Sequence, residues 1–279
     1  ANKASAIKSA SKDIISGLCD DSFPLDVFQT GSGISTNMNA NEVIANLALK
    51  KSKLTINAND DVNMSQSSND VIPTAICVSA LIDMNRLLLP NLDKLINSID
   101  LKMKQVKGNV KTGRTHLMDA MPIDFSQELS GWKAQLEANK KTIIQATNRM
   151  NELPQGGTAI GTGINAHKDF SKHFCSELNK LSKFKTKPAK NFYQGLSSVD
   201  NAVELSSALK NLSVILMKIS NDLRWMNSGP LTGLGEIELQ ALQPGSSIMP
   251  GKVNPVIPEA VAMACADVIG NDVTVTLAG

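Results

Sequence analysis

The sequence is poor in the residues that build metal and disulfide sites. Of its 279 residues only four are cysteine and three are histidine. Cys19, Cys77, Cys175 and Cys265 stand far apart and form no Cys-x-x-Cys pair, which argues against a zinc site, an iron–sulfur cluster or a disulfide framework. His116, His167 and His173 are too few and too scattered for an imidazole metal centre, so neither metal nor cofactor is expected. A basic run is missing as well. Twenty-eight Lys and Arg face 26 Asp and Glu, a net +2, so nucleic acid is not an expected partner. No stretch approaches the roughly 18 to 20 uninterrupted apolar residues that span a bilayer, and no signal-type apolar core opens the chain, so no membrane partner is expected. The thiols are expected to be reduced, in a cytoplasmic setting.

What is present is a hydrophobic content of 42%, ample for a large core. Helical periodicity dominates. Residues 71–106 follow a Ser68-Asn69-Asp70 capping cluster, carry Pro73 in the first turn, and read as a long helix or a pair broken at Pro90. A second helix is expected over 123–153. A third, 198–226, is apolar on nearly every face and must be covered by neighbours, which predicts a helical-bundle oligomer. Polar loops are expected at 29–41, 57–70, 113–120, 155–165 and 242–255, where chemistry tends to sit. The chain starts at Ala1 and stops within an apolar pattern, so it is expected to be truncated at both ends.

Residues 245–255 read Gly-Ser-Ser-Ile-Met-Pro-Gly-Lys-Val-Asn-Pro. Gly245 lets the following amides turn toward an anion, Lys252 adds a cation and Asn254 a two-donor amide, which together suit a carboxylate. Residues 113–119, Gly-Arg-Thr-His-Leu-Met-Asp, place Thr115 and His116 side by side. Ser67, Ser68 and Asn69 stand at an expected helix N-terminus, where free N–H groups favour anions. Gly31-Ser32-Gly33 is a weak nucleotide signal, since no strand precedes it.

These segments, in this order, resemble the fumarase/aspartase superfamily, and Met-Pro-Gly-Lys-Val-Asn-Pro resembles its class II fumarase branch in particular. The resemblance implies an all-α, long-helix bundle, with 1–70 closing an N-terminal domain, 71–279 forming the central domain, and a C-terminal domain absent. It implies reversible trans addition of water to fumarate, giving L-malate, without a cofactor. By resemblance Ser246 is the base and His116 with Glu259 handles the water. Ser32, Asn37, Ser67, Ser68, Asn69, Thr115, Lys252 and Asn254 bind the dicarboxylate, with Thr158 and Asn165 as further lining. It also implies a homotetramer whose sites are shared between subunits. Aspartate ammonia-lyase and a non-catalytic structural protein on the same scaffold are the alternatives. The Ser67-Ser68-Asn69 order favours water over ammonia. Three departures stand out: Ile34 in place of a threonine, Asn57 in place of a histidine, and Leu231 in place of an arginine.

Overall fold

The computed structural model describes residues 2–279. In chain order the helices and strands are α1 (Asn2–Ile15), α2 (Ile34–Ser52), α3 (Ser68–Asp83), α4 (Leu89–Val106), β1 (Val110–Thr115), β2 (Met118–Asp124) and α5 (Phe125–Arg149). There follow β3 (Glu152–Leu153), α6 (Phe170–Ser182), β4 (Lys187–Pro188), α7 (Phe192–Ser197), α8 (Asp200–Met226) and α9 (Val256–Ala278). The all-α expectation holds, with two small two-stranded sheets added.

Two compact units divide the chain, one made of residues 1–81 and 150–199, the other of 82–149 and 200–279. The first unit is seeded by α1 against α2, where Ala6, Ala10, Ala45 and Ala48 are buried with Ile56. Four alanines at the contact let the two helix backbones approach closely. Lys3 and Asp61 close the rim with an ion pair of 2.7 Å. Short parallel pairing of β3 with β4 ties residues 150–153 to the segment after α6.

The second unit is a bundle of α4, α5, α8 and α9 with the antiparallel β1–β2 hairpin. Leu136 and Ile143 on α5 have no exposed surface, and Leu205, Ala208, Leu212 and Ile219 on α8 are buried. Some polar groups in this core are paired: Trp132 Nε1 donates to Asp222 Oδ2 at 3.1 Å, and Asn139 Nδ2 to the Ala208 carbonyl at 3.2 Å, whereas Asn139 Oδ1 and Thr147 Oγ1 are buried without a partner among the described residues. Asp272 of α9, 3% exposed, accepts from Ser206 Oγ at 2.7 Å and Lys210 Nζ at 2.5 Å.

Several expected boundaries move. The irregularity in 71–106 lies at Met84–Leu88, a π-helical turn that runs straight into α4 and that Pro90 follows. Ile123 and Asp124 belong to β2, so α5 starts two residues later than expected. The loop expected at 113–120 is the hairpin itself, paired from Val110↔Asp124 to Thr115↔Met118. The loop expected at 29–41 ends early, because α2 starts at Ile34. Helix α8 leaves Val214 and Trp225 exposed, and α9 exposes Ile257, Met263, Val273 and Leu277. A single chain therefore does not cover these helices. Ser68–Val106 and Val256–Ala278 reach a mean hydropathy of 1.5 and 1.4, long and apolar enough by length and composition to cross a membrane, although neither is an uninterrupted apolar run.

Candidate active site

In the first unit Asn37, Ser67, Ser68, Thr158 and Asn165 converge on one cavity of about 440 Å³. Ser67 is the N-cap of α3. Its Oγ accepts from Asn69 N at 3.2 Å, and its own N–H donates to Asp70 Oδ1 at 2.9 Å, a reciprocal cap. Ser68, in the first turn, is buried, and its Oγ accepts from Asn37 Nδ2 at 3.0 Å, which frees the hydroxyl proton to point into the cavity. Asn37 lies one turn into α2. Its amide also donates to Asn63 Oδ1, as does that of Asn41, at 3.3 and 3.1 Å.

Opposite stand Thr158, Ala159, Ile164 and Asn165 of the glycine-rich segment. Thr158 and Asn165 have φ of 57° and 63°, a left-handed conformation that non-glycine residues adopt at a cost and that clusters at functional sites. Every residue lining the cavity is uncharged. An anion held here would meet hydroxyls, amides and the positive end of a 16-residue helix.

Ser32 and Asn69 do not line the cavity. Ser32 lies exposed in the turn before α2, and Asn69 donates its amide to the Ala159 carbonyl at 2.8 Å, bracing the wall. Ile34 lines the cavity with an apolar side chain. Asn57 is spent locally, its side-chain oxygen accepting from Asn59 N and Asp60 N. Leu231 is 93% exposed.

In the second unit the 245–255 loop closes on itself. Pro244 and Val253 form a β-bridge, and Gly245 N donates to the Lys252 carbonyl at 2.7 Å. A Cβ on Gly245 would lie 2.8 Å from Asn254 Oδ1 and 2.9 Å from the Lys252 carbonyl, so only glycine fits. Ser246 Oγ accepts from the backbone N–H of Ile248 at 3.2 Å and of Met249 at 3.3 Å. Both bonds stabilise negative charge on that oxygen, and they also cap the turn. Asn254 reaches the Gly245 carbonyl at 3.4 Å, and Lys252 is exposed.

Thr115 ends β1, and His116 with Leu117 forms the two-residue hairpin turn at φ of 54° and 63°. Turns of this kind favour Asn-Gly, so His-Leu is a locally unfavourable choice that puts two exposed side chains at the tip. Glu259 lies in the first turn of α9. Among the described residues no ion pair or hydrogen bond joins His116 to Glu259 within one chain.

On strand β1 of the hairpin, the Lys111 side chain is buried between Glu128 at 2.6 Å and Glu236 at 2.7 Å, and Arg114 meets Glu236 at 2.7 Å. Burial disfavours the Lys111 ammonium, but the two carboxylates outweigh it and hold its pKa above the ordinary lysine value. Burial likewise works against the Glu236 carboxylate, and Lys111 and Arg114 overcome it, keeping its pKa low. Sequence reasoning passed over this network, along with Asn41 and Asn63. Their signal is weak, since single lysines, glutamates and asparagines are ordinary surface residues.

The chain matches the lyase family over residues 1–270. It is 56% identical over 257 residues to fumarate hydratase class II 2 of Pseudomonas aeruginosa, covering 92% of this chain and 56% of that protein. It is 53% identical over 276 residues to fumarate hydratase class II of Xylella fastidiosa, covering 99% of this chain and 58% of the relative. Among solved structures, the class II fumarase of Schistosoma mansoni superposes with a TM-score of 0.96 at 38% identity, covering 99% of this chain and 62% of that one. The chain thus spans a little over half the length of these curated relatives. With the motif loops folded as described and a family match across nearly its whole length, the chain belongs to the lyase family, within the fumarase/aspartase superfamily.

Proposed function

We propose that the complete protein is a fumarate hydratase, adding water to fumarate in a trans sense to give L-malate. The observation that carries this reading is the pair of backbone N–H groups on Ser246 Oγ. Serine is a weak base unless its alkoxide is stabilised, and one well-placed donor to a developing oxyanion is worth about 3 to 4 kcal/mol. With Lys252 nearby in the loop, Ser246 would take the proton from the carbon next to the malate carboxylate. The same kind of donor would hold the extra charge of the resulting aci-carboxylate. Ser32, Asn37, Ser67, Ser68, Asn69, Thr115 and Asn254 would hold the dicarboxylate, and His116 with Glu259 would activate or protonate the water.

The cavity near Ser68 supplies only neutral donors, and His116 and Glu259 do not meet within one chain. Both features support sites completed by other subunits of a homotetramer, as do the apolar side chains that α8 and α9 leave exposed. The ion pair between the buried Asp272 of α9 and Lys210 of α8 supports packing in a protein bundle rather than in lipid. Free thiols at all four cysteines support a reducing, cytoplasmic setting.

The test is fumarate absorbance in the ultraviolet with the full-length protein, offered L-malate and L-aspartate in parallel. Fumarate from malate alone is the expected result. Fumarate from aspartate alone would make the protein an ammonia-lyase, and none from either would leave a non-catalytic scaffold.

A further inference from the structure

Of the 67–70 cluster Ser67 and Ser68 line the cavity while Asn69 and Asp70 do not, and Asp70 has no exposed surface. A helix cap needs only one of its oxygens. Oδ1 serves that purpose, accepting from Ser67 N at 2.9 Å. Oδ2 is used elsewhere, accepting from Gly156 N and Thr158 N, each at 2.9 Å, more than eighty residues along the chain.

Gly157 between them bonds locally to Pro154, Gly161 and Gly163, but the Gly156 and Thr158 amides find no backbone acceptor in their own segment. Gly156 has φ of 104°, and a Cβ there would lie 2.8 Å from Ser171 Cβ. Thr158 is β-branched at φ of 57°, a conformation kept only where surrounding contacts fix it. Asp70 supplies two such contacts from the opposite wall, and the neighbouring Asn69 amide supplies a third through the Ala159 carbonyl. Burial holds the Asp70 carboxyl above its ordinary range against the downward pull of four backbone N–H groups, those of Ser67, Gly156, Thr158 and Asp70 itself. A carboxylate so placed is costly unless all its bonds are made.

We infer that Asp70 is a positioning residue that sets the shape of the cavity, clamping the 156–158 backbone to the N-terminus of α3 so that Thr158 and Asn165 face Ser67 and Ser68. It touches no substrate and acts only through these walls. The inference rests on the reading of this cavity as the dicarboxylate site.

The experiment combines residue-resolved amide hydrogen exchange with fumarate kinetics on the full-length assembled protein and its Asp70→Asn variant, which replaces one acceptor oxygen by a donor. In the wild type, Gly156 and Thr158 should exchange at least about tenfold more slowly than Ala159 and Ile160, whose amides make no hydrogen bond among the described residues. In the variant that protection should vanish while α5 exchanges as before. KM for fumarate should rise about tenfold or more with kcat within about threefold, since binding geometry and not the reacting groups has been altered. Wild-type Gly156 and Thr158 amides exchanging as fast as Ala159 would overturn the clamp, even if the variant fails to fold. Lost protection with KM unchanged, or a fall in kcat alone, would overturn the positioning role. A wild type inert toward fumarate would sink the substrate reading, while the exchange data still decide the clamp.

Discussion

Replacing Lys111 by Met should destabilise the second unit by about 3 kcal/mol. The Lys111 side chain is 6% exposed, and its ammonium sits between Glu128 and Glu236 and 4.9 Å from the Phe125 ring. Methionine keeps the apolar stem and removes the ammonium together with its contact to the Phe125 ring, so the change is mainly one of charge. Removing one partner of a buried ion pair costs about 3 to 5 kcal/mol, because the remaining charge is left in a poor solvent. Two features favour the lower end: Arg114 still neutralises Glu236, and Glu128 retains 23% of its side-chain exposure. Adding Glu128→Gln should recover about 1 kcal/mol, since the stranded carboxylate is then gone. Urea unfolding at fixed protein concentration, followed by tryptophan fluorescence, reads this out. Both tryptophans, Trp132 and Trp225, lie in this unit. The midpoint should fall with the slope unchanged. A loss under about 1 kcal/mol, or a double variant no better than the single, would refute the argument that an unpaired buried charge governs the cost.

Other consequences are as direct. Leu136→Ala empties a site with no exposed surface and should cost about 2 to 5 kcal/mol, so an unchanged urea midpoint would contradict the packing described. Gly245→Ala drives a methyl into Asn254 Oδ1 and the Lys252 carbonyl, and should lower turnover by about tenfold or more with little change in melting temperature. Full activity in that variant would mean the loop is looser than its hydrogen bonds imply. Asp100 is held at a pKa of about 2, below the ordinary 3.8, by hydrogen bonds from Lys104 and Lys133. A lowered folded-state pKa means its contribution is present above 3.8 and lost as pH falls toward 2. The stability gap between wild type and Asp100→Asn should therefore narrow over that interval, and a gap independent of pH would contradict the assignment.

Much of this was legible in the sequence because the signals are local. Helix α8 announces itself by its apolar residues, α3 by the Ser68-Asn69-Asp70 cluster, although the helix begins at Ser68 and not at 71, and the 245–255 loop by glycines and prolines that allow few other conformations. The β1–β2 hairpin was not legible, because its turn residues, His116 and Leu117, contradict ordinary turn preferences. Asn37 was expected in a loop and lies in a helix, since Gly33 at φ of 66° ends the turn sooner than the polar composition suggests. Long-range partners were invisible. Nothing about Asp70 or Lys111 in the sequence says which distant amide or carboxylate it will meet, and those contacts shape the cavity and brace the hairpin.

The central claim, that Ser246 is the base of the lyase reaction, is tested most directly by the turnover of Ser246→Ala in the full-length protein. Turnover should fall about 10²-fold or more, with an unchanged melting temperature, as expected for loss of an acid–base group. Turnover within about fivefold of wild type would contradict the assignment and send the search for the base elsewhere.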